Sequence, residues 1–152
     1  MHNENPPSGP EWVPLAGHCL RRTGVYFDAV RIHGVRGEEV TTRLIDKAGP
    51  EAAGPIVCEV TGFRWMYFLL PTGSAAERRW PPGVQHFGTP RTVAYIGIPA
   101  LGGNTWPLRW YSVPSPAAPF VDPELLHETV RACPVPPFGT EGPSGQGQLS
   151  VT

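Results

Sequence analysis

The sequence predicts an α+β fold in which a mostly antiparallel sheet packs with two main helices. Three observations lead to this prediction. Short segments rich in β-branched and aromatic residues recur along the chain, and two other segments carry apolar residues at helical spacing. The 18 glycines and 20 prolines separate these segments with turns. A chain of 152 residues fits one domain.

The first half of the chain predicts a strand, a helix and a hairpin. Residues 25–32 are mainly β-branched and aromatic and are typical of a strand. Residues 37–47 have apolar side chains at helical spacing, and the Gly-Pro pair that follows predicts the helix end. Two further strand-like segments, 56–61 and 63–70, are separated by one glycine, which predicts a tight turn and a hairpin.

The second half predicts an irregular loop, three strands and a helix. The loop covers 71–82 and contains one short helical turn at 74–79. Asp122 and Pro123 are the expected N-cap and first residue of a helix that continues to Ala132. Pro107 cannot donate to a strand ladder, so its strand is expected at a sheet edge. The three strands are predicted at 84–87, 92–98 and 106–113.

The composition limits the classes of partner. The net charge is −1, and 16% of the residues are charged, against about a quarter in an average protein. This balance does not favour a strongly basic nucleic-acid-binding protein, although it leaves a local basic groove open. Lys47 is the only lysine, and such an arginine bias is typical of a GC-rich genome.

The termini predict two disordered tails, 1–10 and 134–152, around a folded domain at 11–133, because they are polar or rich in proline and glycine. The three cysteines show no close pairing, and the first residues lack the pattern of a signal peptide. The longest apolar run, 65–70, is too short to cross a bilayer. We therefore expect a cytoplasmic protein with free thiols and no membrane contact.

Four segments between residues 24 and 113 carry a resemblance to a known family. They are Phe27-Asp28-Ala29-Val30, Gly62-Phe63-Arg64-Trp65-Met66-Tyr67-Phe68, Gly83-Val84-Gln85-His86-Phe87-Gly88 and Ala94-Tyr95-Ile96-Gly97-Ile98-Pro99. In order and spacing they resemble segments of the archaeo-eukaryotic primase-polymerase domain, the N-terminal domain of bifunctional DNA primase/polymerases. The resemblance implies an RRM-related core, an active-site cleft and a role connected with DNA replication.

The resemblance implies a two-ion nucleotidyl-transfer site whose ligand set is incomplete in this chain. Two Mg²⁺ or Mn²⁺ ions require several carboxylate oxygens. Asp28 keeps the first acid of the family's pair, but Val30 stands at the second acid and Gln85 at the third. Trp65 replaces the histidine that the family uses on the incoming nucleotide. The resemblance therefore implies a degenerate cleft floored by Asp28, Trp65 and Gln85, with Asp28 as a weak metal ligand.

Glu59 and His86 are the nearby candidates to replace the missing ligands. Glu59 can help only if it shares a sheet face with Asp28. His86 is not expected to help, because neighbouring strand residues point to opposite faces and Gln85 occupies the site position.

The same residues also have structural interpretations that the sequence leaves open. Asp28 is either a remaining ligand or an acid paired with an arginine or a backbone N–H. Arg64 and Arg78-Arg79 form either the wall of a phosphate-binding cleft or a solvated surface. The larger aromatic residues either stack bases or pack in the core; they are Trp65, Trp80, Trp106, Trp110, Tyr67 and Tyr95.

Three functional hypotheses follow. The first is a non-catalytic primase-polymerase-like domain that binds a nucleotide, a single-stranded nucleic acid or a protein through the old cleft. The second is a residual metal-dependent nucleotidyltransferase or phosphohydrolase that uses Asp28 with Glu59 or Gln85. The third is a scaffold that binds protein partners through proline-rich tails, above all at Pro134-Val135-Pro136-Pro137-Phe138, since proline pre-orders an extended segment.

Overall fold

The computed structural model describes residues 9–62, 64–88 and 92–134. Within these residues the chain confirms the predicted α+β class, with antiparallel strand pairs and two helices. The elements are β1 (His18–Arg22), β2 (Asp28–His33), α1 (Gly34–Ala48), β3 (Ile56–Glu59), β4 (Trp65–Leu70), a 3₁₀ turn (Ala75–Glu77), β5 (Gln85–Phe87), β6 (Tyr95–Pro99), β7 (Leu108–Ser112) and α2 (Pro123–Ala132).

The strands form two sheets rather than one. The five-stranded sheet has the order β5-β2-β4-β3-β7, and β1 pairs with β6 in a separate two-stranded sheet. All of these neighbours are antiparallel. Because β2 and β3 both run antiparallel to β4, which lies between them, β2-α1-β3 is a split βαβ crossover. The sequence did not predict β1, because its histidine and two arginines hide the strand pattern.

The five-stranded sheet is packed on both faces. One face meets the two helices in a core that includes Val30 from β2, Leu44 from α1 and Leu126 from α2. The other face packs against Trp12 and Ile98, so the N-terminal segment and the two-stranded sheet form a third layer. Each inner strand therefore sends alternate side chains into different cores.

Several element ends differ from the predicted ones. β2 begins at Asp28 rather than at residue 25, because the Gly24 N–H donates to the Phe27 carbonyl in a turn that leaves Val25 and Tyr26 exposed. Gly24 has a φ of 87°, which favours glycine at this turn. α1 begins three residues earlier than predicted, at Gly34.

The predicted helix signals and the predicted edge strand are confirmed. The Asp122 side chain accepts a hydrogen bond from the Glu124 N–H at 3.0 Å and caps α2. α1 ends at Ala48, before Gly49. β7, which follows Pro107, lies at one edge of the five-stranded sheet. In the described part of the chain, neither helix combines the length and the apolar character needed to span a bilayer.

Most of both predicted tails lies outside the described residues. Residues 1–8 and 135–152 belong to this part, including Val135 to Phe138 of the predicted recognition segment. The two described residues of the first tail, Gly9 and Pro10, adjoin the domain, and the Pro10 carbonyl accepts a hydrogen bond from the Val13 N–H at 3.0 Å.

The packing of α1 on the sheet is tested by Gly37→Ala. A Cβ atom at this position would lie 2.6 Å from the Ile32 carbonyl oxygen and 3.2 Å from the Met66 side chain. We expect the overpacking to lower the free energy of unfolding by about 1–3 kcal/mol. This is opposite to the gain of about 1 kcal/mol that alanine normally brings in a helix. Urea unfolding followed by circular dichroism measures the change.

Thr42→Ala is the matched control, because Thr42 is an exposed residue of the same helix. It gains helix propensity without a new contact, so its stability should be unchanged or slightly higher. A Gly37→Ala protein that is as stable as the wild type would contradict the close approach of α1 to β2.

Candidate functional site

Asp28 lies in the helix-facing core and is enclosed there. Its side chain is fully buried, and Oδ2 accepts a hydrogen bond from the Ala75 N–H at 3.0 Å. Oδ1 has no hydrogen-bond partner among the described residues. Gly88 packs so closely that an added Cβ would overlap the carboxyl group. The partner of this acid is thus a backbone N–H of the 3₁₀ turn, as one of the structural interpretations held.

Burial raises the pKa of the Asp28 carboxyl above its ordinary value. The hydrogen bond from the Ala75 N–H, the nearby Gly73 backbone and the charge of His86 act in the opposite direction, while Glu77 raises the pKa further. Desolvation is the largest of these effects. The protonated acid is therefore favoured by the folded protein relative to the unfolded chain.

Trp65 and Gln85 lie on the opposite face of the same sheet. In the register of β2 with β4, Asp28 pairs with Leu70 and His33 pairs with Trp65. These two β2 residues are five positions apart, so their side chains point to different faces. The side chain of Gln85 meets Arg31, which shares its face with Trp65. The structure therefore does not bring Asp28, Trp65 and Gln85 together as one cleft floor.

Arg31 is the centre of the group around Trp65. Its guanidinium carbon lies 4.1 Å from the centroid of the Trp65 ring and 5.4 Å from that of Phe87. The Arg31 Nε donates to Gln85 Oε1 at 2.5 Å. Arg31, Trp65 and Phe87 are half-buried, while Gln85 is exposed. We call Arg31, Trp65, Gln85 and Phe87 the stacking site.

Tyr67 and Glu59 border the stacking site on the side of β3. The Tyr67 hydroxyl donates to Glu59 Oε1 at 3.3 Å. Burial is the main cause that raises the pKa of Tyr67 above its ordinary value, which favours the protonated hydroxyl that donates to Glu59. Glu59 pairs with Trp65 in the strand register. Glu59 therefore belongs to this face and cannot act with Asp28.

Gln85 and His86 lie on the opposite sheet faces from those expected. Neighbouring residues of β5 do point to opposite faces, as expected, but Gln85 is the one turned away from Asp28. His86 pairs with Val30 in the register, and its charge acts on Asp28. Val30 itself is fully buried in the helix-facing core.

The predicted cleft arginines lie away from the stacking site. Arg64 forms an ion pair with Glu38 of α1, on the helical side of the sheet. The Arg78 guanidinium lies 3.9 Å from the Glu77 carboxylate, and the Arg79 carbonyl contacts the His127 ring of α2 at 2.9 Å. These arginines therefore do not line a common wall around Trp65.

The other large aromatic residues do not form one platform. Trp80 is buried, and its indole N–H donates to the Ala75 carbonyl at 2.8 Å. The Trp110 indole N–H reaches the carbonyls of Pro99 and Ala100. Trp106 and Tyr95 are exposed. Trp80 and Trp110 thus follow the packing interpretation, whereas Trp65 is only partly buried.

Sequence reasoning missed Arg31, the residue that organises the stacking site. The signal was present in the period-two pattern of β2, in which Asp28, Val30 and Ile32 alternate with Ala29 and the polar Arg31 and His33. An arginine on such a strand indicates that one face of the sheet is not wholly apolar. Which residues meet it there depends on the pairing of β2 with β4 and β5.

The described residues do not fit a two-ion site. No group of three or more His, Cys, Asp or Glu side chains within residues 9–62, 64–88 and 92–134 is arranged to hold a metal ion. Asp28 offers one enclosed carboxylate, and the amide of Gln85 lies on the other face. These described residues therefore do not bring together the carboxylates that two Mg²⁺ or Mn²⁺ ions require.

Comparisons of the chain with protein-family models, with curated proteins and with solved structures found no match. The resemblance to primase-polymerase domains therefore stays a prediction from the sequence.

The buried acid predicts a characteristic pH dependence for Asp28→Asn. Because the folded-state pKa is raised, the contribution of Asp28 to stability is fully present below its unfolded-state pKa of about 4 and is lost as the pH rises through the folded-state pKa. An asparagine does not titrate. As the pH rises, the free energy of unfolding of Asp28→Asn should therefore increase relative to that of the wild type. The total increase is about 1.4 kcal/mol for each pH unit by which folding raises the pKa of Asp28.

Urea unfolding between about pH 3 and pH 8 measures this difference, since carboxyl groups with unfolded pKa values near 4 titrate in that range. Asp46→Asn, at an exposed position of α1, is the control for the loss of one carboxylate. Parallel pH profiles for Asp28→Asn and wild type would show that the folded and unfolded states bind this proton equally.

Proposed function

We propose that this chain is a non-catalytic binding domain that holds an unpaired base of a nucleotide or single-stranded nucleic acid at the stacking site. The observation that carries the proposal is the Arg31 guanidinium, whose carbon lies 4.1 Å from the ring centroid of the partly buried Trp65. The sequence resemblance to primase-polymerase domains supports the choice of nucleotides as the ligand class.

The chemistry of the stacking site suits a flat, polar ring. An indole ring offers the largest aromatic face of any side chain, and stacking of a base on an aromatic ring contributes about 1–3 kcal/mol. The cation of Arg31 adds an attraction to π systems. The Gln85 amide and the Glu59 carboxylate lie on the same face and offer hydrogen bonds to the edge of a base.

Arg31 is held in place before any ligand arrives. The two rings restrict its guanidinium group, and the hydrogen bond to Gln85 fixes its Nε. A long side chain that is already ordered loses little conformational entropy on binding. This preorganisation of Arg31 supports a binding role for the stacking site.

The separation of the predicted site residues supports the non-catalytic part of the proposal. Phosphoryl transfer needs carboxylates and the nucleotide phosphates in one place. Asp28 is enclosed on the helical side of the sheet, while Trp65 and Gln85 lie on the other side. No observation on the described residues favours the residual nucleotidyltransferase or phosphohydrolase.

The proposal has two further parts, the location of the protein and a protein partner. The three cysteines are free thiols, which fits the cytoplasmic location that we propose. Binding of a protein partner through the proline-rich tail rests on the sequence alone, because residues 135–138 lie outside the described residues.

The proposal predicts that Trp65→Ala weakens binding of single-stranded nucleic acid. We expect the affinity for a fluorescently labelled oligothymidine to fall by about tenfold or more, since the loss of one stacked base is worth about 1–3 kcal/mol. Arg31→Gln should have a smaller effect in the same direction. Fluorescence anisotropy at low salt, with and without Mn²⁺, measures the affinities.

Trp106→Ala is the matched control, because Trp106 is 69% exposed and its removal also deletes one indole ring. Its affinity should equal that of the wild type, and melting temperatures establish that each variant is folded. The absence of binding by the wild type at low salt, or an equal loss in both tryptophan variants, would refute the stacking site. Duplex DNA of the same length should compete poorly, since its bases are already stacked.

A further inference from the structure

A pocket on the helical side of the domain is lined by two arginines, whereas the stacking site contains one. It lies between the first turn of α1, the loop before β5 and the end of α2, and its volume is about 400 Å³. Volumes of about 300–1,000 Å³ are usual for small-molecule sites. The pocket is lined by Arg36, Pro81, Pro82, Val130, Arg131 and Pro134.

Arg36 is fixed at the wall of this pocket by two backbone carbonyls. Its Nε donates to the Cys133 carbonyl at 2.9 Å, and its Nη1 donates to the Pro82 carbonyl at 2.7 Å. Arg36 is half-buried, and this desolvation lowers the pKa of its guanidinium below the ordinary value. The carbonyls orient the guanidinium but do not neutralise it.

The positive charge of the pocket has no carboxylate partner in the described part of the chain. There the ion pairs join Arg43 with Glu39, Arg64 with Glu38 and Arg78 with Glu77, and none includes Arg36 or Arg131. The first turn of α1 contains no acidic residue and no side-chain cap. The part of α1 that lines the pocket therefore adds no carboxylate beside the two arginines.

The remaining walls suit a compact apolar group. Proline rings present carbon surface and have almost no side-chain freedom to lose when a ligand binds. Val130 adds an aliphatic side chain from α2. An apolar wall beside two guanidinium groups favours a ligand with a small hydrocarbon body and one anionic end.

We infer that this pocket binds a small organic oxyanion, either a carboxylate or a phosphate monoester. Arg131 and the remaining N–H groups of Arg36 hold the oxyanion, and the proline rings contact the body of the ligand. The pocket and the stacking site use opposite faces of the five-stranded sheet, so this inference goes beyond the proposed function and does not depend on it.

Isothermal titration calorimetry of the full chain with benzoate tests the inference, and benzamide serves as its neutral counterpart of the same shape. Inorganic phosphate in a separate titration distinguishes the two oxyanions. We expect benzoate or phosphate to bind and benzamide not to bind. Arg131→Gln should weaken the binding by about tenfold or more, because a charge-assisted hydrogen bond is lost. Arg131 is exposed, so the variant should fold normally.

Arg22→Gln removes the same charge from an exposed position of β1 and should bind as the wild type does. Trp65→Ala should also bind the oxyanion normally, which separates a failure of this site from a failure of the stacking site. The inference is overturned if neither oxyanion binds, if benzamide binds as well as benzoate, or if Arg22→Gln loses as much affinity as Arg131→Gln.

Discussion

The hydrogen bonding of β2 on both of its edges determines the arrangement of the whole domain. β4 pairs with one edge and β5 with the other, so β2 cannot rotate or slip without breaking two ladders. Its alternate side chains are therefore committed to different layers. Asp28, Val30 and Ile32 face the helices, and Ala29 and Arg31 face the other side. The position of the stacking site, and its separation from Asp28, follow from this division.

The fixed orientation of β2 places the Asp28 carboxyl group in a buried environment. An acid in the helix-facing core must find a hydrogen-bond donor there, and the 3₁₀ turn supplies the Ala75 N–H for one oxygen. The close packing of Gly88 excludes any larger residue on the other side. The strand position that made Asp28 resemble a metal ligand thus gives it a structural partner. This environment favours a proton on the carboxyl group.

The two faces of the sheet present different chemistry within one domain of low charge. On the Arg31 face, aromatic rings, one restrained guanidinium and an amide are suited to a flat ring. On the helical side, Arg36 and Arg131 lie among proline rings without a carboxylate partner in the described part of the chain. The net charge of −1 therefore averages over a site with one arginine and a pocket with two.

The sequence by itself determined the fold class, both helices, the hairpin of β3 with β4, the N-cap at Asp122 and the edge position of β7. These features depend on local spacing, capping residues and proline chemistry, which are all readable from neighbouring residues. Tertiary structure alone decided that β1 and β6 form their own sheet and that Asp28 lies apart from Trp65. It also placed Arg31 beside Trp65 and Arg36 beside Arg131. These relationships join residues far apart in the chain, and strand register and helix packing set them through long-range contacts that no local pattern encodes.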